Sequence, residues 1–217
     1  MRIDRAGWPF VIPAALAALA LWLLGYGWSA AVFVAIGAFL LYFFSDPERH
    51  TQIQRSEVVS PADGRVVFAG PADVAAAPPG TWQQISIFLS PMDVHINRIP
   101  VGGQVTRVEY KPGKFLPAYR PDAAAGNERN EVWIDHDGHA VVCRQVVGIL
   151  ARRIVCRVQA GAQVSTGSRF GLMKFGSRMD VFLPPSATLR VSTGDRVVGG
   201  MTVIATLAPT SVEHRDA

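Results

Sequence analysis

The sequence feature that most constrains this chain is a long N-terminal stretch without any charged side chain. Residues 9–44 contain no Asp, Glu, Lys or Arg, although charged residues make up 18% of the 217-residue sequence. The turn Gly25-Tyr26-Gly27 divides the stretch into apolar pieces of 16 and 17 residues. As helices, these pieces would each reach roughly 24–26 Å, slightly less than the bilayer core of about 30 Å. We therefore predict an N-terminal hydrophobic α-helical hairpin that anchors the chain in a membrane, as two short spans or as a re-entrant pair.

Two other interpretations of this apolar stretch are a secretory signal and a buried hairpin of a soluble protein. A secretory signal has an apolar region of about 7–15 residues that ends at a cleavage site of small residues. Here the stretch is far longer and runs into Tyr42-Phe43-Phe44, which argues against removal by a signal peptidase. The buried hairpin stays open as an alternative to membrane insertion.

The charges that flank the hairpin predict its orientation. Arg2 and Arg5 precede it, Arg49 and Arg55 follow it, and the central turn is uncharged. Positive residues collect on the cytoplasmic side of a membrane, so both ends of the hairpin are expected there. We expect residues 1–45 to form the anchor and the rest of the chain to lie at the cytoplasmic face of the inner membrane.

The composition favours an anionic lipid as partner over a nucleic acid or a metal. The formal net charge is +4, but the chain has no run of five or more basic residues and no interleaving of basic and aromatic residues. Cys143 and Cys156 lie in strand-like apolar runs and are expected to be free thiols, which fits a reducing compartment. Since the sequence has no CxxC, HExxH or Cys/His cluster, no metal site is predicted.

Residues 46–217 consist of short β-branched runs separated by glycine and proline. Residues 135–138, DHDG, are a hairpin-turn signal, and residues 193–207, TGDRVVGGMTVIATL, have the form of hairpins in lipoyl- and biotin-carrier folds. We predict a mainly β chain with a compact β-sandwich or barrel-like catalytic domain that contains lipoyl-like hairpin elements. Because no lysine occupies a hairpin tip that could carry a prosthetic group, this likeness supports the architecture and not the function.

Three stretches carry residues suited to reaction chemistry: Asp63 in SPADG, His95 in SPMDVHINRIP and Ser177 in FGS. Taken singly, an Asp-Gly pair is more often a turn, and a lone histidine is more often a structural donor. Together they can supply a nucleophile, a base and an orienting carboxylate, since a serine hydroxyl needs a neighbouring imidazole to accept its proton. The GxSxG elbow of common hydrolases is missing. Gly176 has no Cβ to shield its carbonyl, which suits attack by the hydroxyl of the following serine, an N-to-O acyl shift.

Four motifs in this order resemble the phosphatidylserine decarboxylase family in its short bacterial and archaeal-type form. They are PADGRV, SPMDVHINRIP, NERNEV and FGSRMDVFLP, which begin at residues 61, 90, 127 and 175. The resemblance covers essentially the whole chain. Many members have a longer Leu-Gly-Ser-Thr motif, whereas here Phe175 precedes the Gly-Ser pair and Arg178 follows it. The Gly-Ser pair itself is retained.

The resemblance implies a pyruvoyl-dependent lyase that is made as a zymogen. Autocatalytic cleavage between Gly176 and Ser177 would give a β chain of residues 1–176 and an α chain of residues 177–217, which stay associated. Ser177 would become the covalent pyruvoyl cofactor within the decarboxylase domain, residues 46–217. This group would bind the amine of phosphatidylserine as a Schiff base and convert the lipid to phosphatidylethanolamine.

The resemblance also implies a role for two further residues in maturation. His95, oriented by Asp63, would remove the proton of Ser177. His95 is also the first candidate to protonate the substrate carbon after decarboxylation.

The long connection over residues 110–130 is the candidate lipid-facing loop. Phe115 is expected to enter the interface and Lys114 to lie near phosphate, with Asn130 as a further substrate-binding candidate. The alternatives are a solvated loop and, for Asn130, a purely structural role.

A different class of function is a membrane-tethered carrier or adaptor with a lipoyl-like β fold and no catalysis. It accounts for the hairpin and leaves the FGS and MDVH motifs without a role. A pyruvoyl enzyme for a soluble amino acid would have no need of the apolar N-terminus. The expected partners are therefore phosphatidylserine in the bilayer and the chain's own two fragments, and assembly into a homo-oligomer stays open.

Overall fold

The computed structural model describes residues 2–50, 52–117, 126–148, 153–174 and 177–209. Two helices stand at the N-terminus, α1 over Trp8–Leu23 and α2 over Gly27–Phe43, after a short 3-10 turn over Arg5–Gly7. All further regular elements in the described ranges are strands. The prediction of a mainly β chain preceded by a pair of apolar helices is confirmed.

The helical pair follows from local sequence. Alanine and leucine, which have the highest helix propensities, dominate α1, and Pro9 lies in its first turn, where a missing N–H costs nothing. Gly25 has a φ of +84° and reverses the chain between the helices. Arg5–Leu23 is long and apolar enough to cross a membrane by length and composition, and α2 is a shorter apolar helix. Much of the pair's apolar surface is exposed, with Trp28 at 90%.

The strands divide among one large and three small sheets. They are β1 Arg2–Ile3, β2 Ser45–Asp46, β3 Glu57–Val59, β4 Gly64–Pro71, β5 Gln83–Leu89, β6 Ile96–Arg98, β7 Gly103–Lys111, β8 Arg129–His136, β9 His139–Val147, β10 Ile154–Cys156, β11 Gln163–Val164, β12 Arg169–Met173, β13 Ser177–Leu183, β14 Thr188–Leu189, β15 Arg196–Val197 and β16 Val203–Thr206. The large antiparallel sheet has the order β11-β7-β8-β9-β13-β5-β4-β15 and curls into a half-barrel. The small sheets are β10-β12-β6, β14-β16-β3 and β1-β2.

The predicted turn at residues 135–138 joins β8 to β9. Asp137 and Gly138 have φ values of 52° and 84°, so both central residues of the turn are left-handed, as a two-residue hairpin with the right-handed twist of its strands requires. This turn fixes the register in which Asn130 pairs with Gln145 and Glu131 with Arg144.

The central strand of the large sheet, β13, is buried on both faces. Met179, Val181 and Leu183 point into the main core, where they join Ile85 and Ile87 of β5. The core continues into β3, β15 and β16, so strands from both ends of the β region close over the same apolar space.

The opposite face of β13 holds charged side chains that are buried and paired. Arg178 and Asp180 lie 2.8 Å apart, and on the neighbouring strands Arg144 Nη2 lies 2.8 Å from Glu131 Oε1. Arg144 also donates to the Ala76 carbonyl at 2.6 Å. A buried ion pair adds little net stability when intact but is costly to break, because the remaining charge has lost both water and partner.

Replacing Arg144 by Leu should therefore destabilise the fold by about 3–5 kcal/mol, since Glu131 is left buried without its closest cation. The measurement is the free energy of unfolding in urea, in detergent micelles. Arg55→Leu removes one partner of the exposed Arg55–Asp137 pair and should change little. Equal effects of the two variants would contradict this account.

Candidate active site

Ser177 begins the central strand of the large sheet. Its Cα pairs with Leu89 of β5 on one side and with Val147 of β9 on the other, and the side chain is fully buried. Within the described ranges, the Ser177 hydroxyl has no hydrogen-bond partner. Such a buried, unpaired hydroxyl is uncommon, because most buried polar groups are satisfied. The predicted scissile partner Gly176 lies outside the described residues.

Two strand pairings bring His95 towards the same place. Leu89, the partner of Ser177, ends β5, and the loop over residues 90–95 follows it directly. His95 then leads into β6, where Ile96 pairs with Leu172 of β12. Leu172 lies five positions before Ser177 in the sequence, so these pairings bring both neighbours of the 90–95 loop close to residues that flank or pair with Ser177.

The environment of His95 fixes its tautomer and its charge. The ring nitrogen Nδ1 lies 2.7 Å from the Asp93 carbonyl oxygen. A carbonyl can only accept, so Nδ1 carries the proton and the lone pair of the neutral ring is on Nε2. Burial lowers the pKa of His95 to about 4, against the opposing effects of the Asp93 hydrogen bond and the Asp93 and Asp63 charges. At neutral pH the imidazole is therefore in the form that accepts a proton.

The loop that carries His95 is clamped through Asp93. The Asp93 carboxylate accepts from the Ser90 backbone N–H at 2.8 Å and from Arg196 of β15 at 2.8 Å. No role was predicted for Asp93 from the sequence. The available signal was alternation, which places Asp93, His95 and Asn97 at every second position.

Asp63 forms a separate clamp. Its carboxylate accepts from both terminal nitrogens of Arg49 and from the Gly199 backbone N–H at 2.8 Å. The His95 ring is oriented by the hydrogen bond that it donates to the Asp93 carbonyl. Asp63 acts on His95 through its charge. The catalytic role of Asp63 stays a prediction.

A chain of three buried amides lies near Ser177. Asn130 Nδ2 donates to Gln145 Oε1 at 3.2 Å, and Gln145 Nε2 donates to Asn97 Oδ1 at 2.9 Å. Gln145 lies two residues before Val147, on the face of β9 that Ser177 shares. The Asn97 amide is thus held by its oxygen, and its Nδ2 has no hydrogen-bond partner among the described residues. Asn130 is 4% exposed and hydrogen-bonded to Gln145, which fits the purely structural role that was the alternative to substrate binding.

The connection between β7 and β8 is hydrogen-bonded to β9, the strand that pairs with Ser177. The Asn127 side chain donates to the carbonyls of Leu116 and Val147, both at 2.8 Å. Lys114 forms a β-bridge with Asn127, and the Phe115 side chain is 39% exposed. Lys114 and Phe115 thus lie at the base of this connection, and residues 118–125 lie outside the described residues. Substrate binding by Lys114 and Phe115 stays a prediction.

The helical hairpin forms one wall of the site. The Phe43 ring of α2 stacks on the His95 imidazole with centroids 4.0 Å apart and planes tilted by 30°. Tyr42 donates from its hydroxyl to the Met92 carbonyl at 2.7 Å. Phe43 belongs to an apolar cluster with Ile96 and Leu172, the strand residues next to His95. The base of the hairpin therefore excludes water from the imidazole.

Phe43→Ala should raise the pKa of His95 from about 4 towards its ordinary value of 6.5, because water reaches the ring. The unfolded chain binds more protons than the folded chain between these two values, so His95 lowers stability as the pH falls through that window. The variant should reduce this acid sensitivity. Titration of labelled histidine by NMR in micelles measures the pKa, with Trp28→Ala on the exposed part of α2 as control. An unchanged pKa in Phe43→Ala would refute the role of Phe43.

Comparison with known proteins identifies the family of the chain. The sequence model of the family described as phosphatidylserine decarboxylase matches residues 36–205. Phosphatidylserine decarboxylase proenzymes of Symbiobacterium thermophilum and Salinibacter ruber are 47% and 43% identical to the chain, over 94% and 91% of its length and 95% and 89% of theirs. That of Nitrosomonas europaea is 42% identical over 94% of each chain. The chain therefore belongs to the phosphatidylserine decarboxylase family.

Proposed function

We propose that the chain cleaves itself between Gly176 and Ser177 and then converts phosphatidylserine to phosphatidylethanolamine with a pyruvoyl group made from Ser177. The observation that carries the proposal is the fully buried Ser177 hydroxyl without a hydrogen-bond partner in the described ranges. The family membership and the word proenzyme in the names of the relatives support it.

In maturation, His95 accepts the Ser177 proton on Nε2, and the serine oxygen attacks the Gly176 carbonyl carbon. The attack gives a tetrahedral oxyanion on that carbon. The Gly176–Ser177 C–N bond then breaks as its nitrogen takes up the proton held by His95, which leaves an ester and a new amine on residue 177. Loss of the α proton of residue 177 then expels Gly176 as a carboxylate and leaves dehydroalanine. Water converts dehydroalanine to the ketone and releases ammonia, so that atoms and charges balance.

We propose that Asn97 donates a hydrogen bond to the oxyanion formed on the Gly176 carbonyl. Gln145 fixes the amide by its oxygen, so the N–H side is directed away from that contact. A preorganised donor of this kind needs no reorganisation when charge develops. The same donor would suit a ketone at position 177, since neither the Ser177 hydroxyl nor Asn97 Nδ2 has a hydrogen bond to break among the described residues.

The two fragments should stay together after cleavage. The residues after the cut supply β13 in the middle of the large sheet, β15 on β4 and β16 on β3. Separation would require the sheet to unfold.

The apolar surface of the helical pair supports a membrane location. Leu23, Leu24 and Trp28 are at least 70% exposed, which in water would be a large unfavourable apolar patch. Insertion at the cytoplasmic face of the inner membrane, as the flanking arginines predict, would bring the site to its lipid substrate.

The pyruvoyl group supplies a carbonyl that condenses with the substrate amine and withdraws the electrons left by departing carbon dioxide. The protein supplies the rest. Its buried face excludes water, and His95 is the residue that we propose to deliver a proton to the substrate carbon at the end of the reaction.

Ser177→Ala should run as a single uncut band on a denaturing gel, because the attacking oxygen is absent. The wild type should give fragments of residues 1–176 and 177–217, the smaller with a hydrazine-reactive ketone. Ser86→Ala, at a buried serine on the other face of the same sheet, is the matched control and should be cut. Cleavage of Ser177→Ala would refute the proposal, and a wild type that stays uncut would favour the carrier or adaptor.

Asn97→Ala should slow self-cleavage by about 10²- to 10³-fold if its amide stabilises the oxyanion. The time course of band splitting after synthesis in vitro measures this rate. Gln84→Ala removes a buried amide that donates to Ser86 on the other face, and should leave the rate within a few-fold of wild type. Equal rates for Asn97→Ala and wild type would exclude the donor role.

A further inference from the structure

Lys174 connects the segment that precedes Ser177 to the base of the hairpin. It follows the last residue of β12, Met173, and lies three residues before Ser177. Its Nζ lies 4.8 Å from the centroid of the Phe10 ring, in the first turns of α1. The ammonium group therefore sits where the hairpin leaves the β domain.

The charge of Lys174 is not neutralised within the described part of the chain, where no carboxylate forms an ion pair with it. Asp4 is the acidic group that attracts it, but both Asp4 oxygens are held by Arg157 at 2.7 Å. Partial burial and the nearby Arg153 lower the pKa of Lys174. This point of the surface thus has an excess of positive charge that a bound anion would relieve.

The aromatic side chains at the base of the hairpin, where Lys174 meets Phe10, indicate the depth of this lysine. Trp8 and Phe10 at the start of α1 and Tyr42 at the end of α2 are each between 37% and 45% exposed. Tryptophan and tyrosine mark the interface between the bilayer and water, where lipid phosphates lie. A lysine held on Phe10 at this level has its ammonium in the headgroup layer.

The short separation of Lys174 and Ser177 in the sequence sets an upper limit on the distance between them. Three residues of extended chain span at most roughly 10 Å. In a phosphoserine headgroup, four covalent bonds separate the phosphorus from the amine nitrogen. A lipid whose phosphate is held by the Lys174 side chain can therefore present its amine to residue 177.

We propose that Lys174 is the phosphate-binding residue of the site and takes the phosphodiester of an anionic glycerophospholipid. The proposal rests on the proposed function for the chemistry at residue 177, but binding of the phosphodiester does not require that chemistry. It differs from the sequence prediction, which placed phosphate near Lys114.

Binding is tested in the Ser177→Ala protein, which cannot form the ketone, by calorimetry in detergent. The ligands are dihexanoyl-phosphatidylserine as monomers, O-hexylserine, which keeps the amine and carboxylate without phosphate, and inorganic phosphate. Lys174→Met should weaken phosphatidylserine binding about tenfold or more, the value of a charge-assisted hydrogen bond, and leave O-hexylserine binding unchanged. Lys174→Arg should retain most of the affinity. Lys111→Met, at a lysine paired with Glu109 at 3.1 Å, is the matched control.

A loss of less than twofold in Lys174→Met, or equal losses for phosphatidylserine and O-hexylserine, would overturn the proposal. If inorganic phosphate competes with phosphatidylserine for binding, and this competition is lost in Lys174→Met, the result would support a site that binds the phosphate charge itself. If lipid binding depends on Lys174 but inorganic phosphate does not compete with it, the result would support a site that binds the phosphodiester only as part of the lipid.

Kinetics of the cleaved protein separate this proposal from the proposed function. Rates are normalised to the amount of hydrazine-reactive chain, so that slower maturation does not change the measured kcat. Lys174→Met should raise KM about tenfold and change kcat much less, because phosphate binding is lost equally from substrate and transition state. A wild type that stays uncut would refute the proposed function, whereas a cleaved Lys174→Met with wild-type KM would refute only the role of Lys174.

Discussion

The structure depends on one arrangement above all, the hydrogen bonding of β13 to β9 on one side and to β5 on the other. It places Ser177 at the end of the most enclosed strand of the large sheet, with both faces of that strand buried. A strand held on both sides tolerates the loss of one covalent connection at its end, because its ladder of hydrogen bonds and its side-chain packing remain. The reactive serine can thus lie in the core without its chemistry endangering the fold.

The hairpin and the β region are physically joined at the site. Phe43 covers His95, and the Asp4–Arg157 pair ties the start of the hairpin to the strand region at 2.7 Å. The boundary at residue 45 predicted from the sequence falls inside β2. This strand follows the hairpin in the chain and pairs with β1, which precedes the hairpin. The helices therefore shape the electrostatics of the imidazole as well as offering an apolar surface to a bilayer.

Local patterns in the sequence were sufficient for the fold class, the helical pair and the turn at residues 135–138, because each depends on neighbouring residues. The Gly-Ser pair and the MDVH motif were also visible as unusual residue combinations. The partners of His95 and Asp63 were not, since Asp93 acts through its backbone and Arg49 reaches Asp63 across 14 positions. Gln145 looked like one more residue of a β-branched strand. Only the pairing of β8 with β9 and the side-chain contact with β6 of a second sheet reveal that it bridges Asn130 and Asn97.

The chain order of the strands has a consequence for biosynthesis. The hairpin leaves the ribosome before the β region, and β5 and β9 are complete before Ser177 is added. The core beside β13, however, includes Val197, Ile204 and Ala205, which are translated after Ser177. A nascent chain can therefore meet the membrane while the apolar enclosure of its serine is still incomplete.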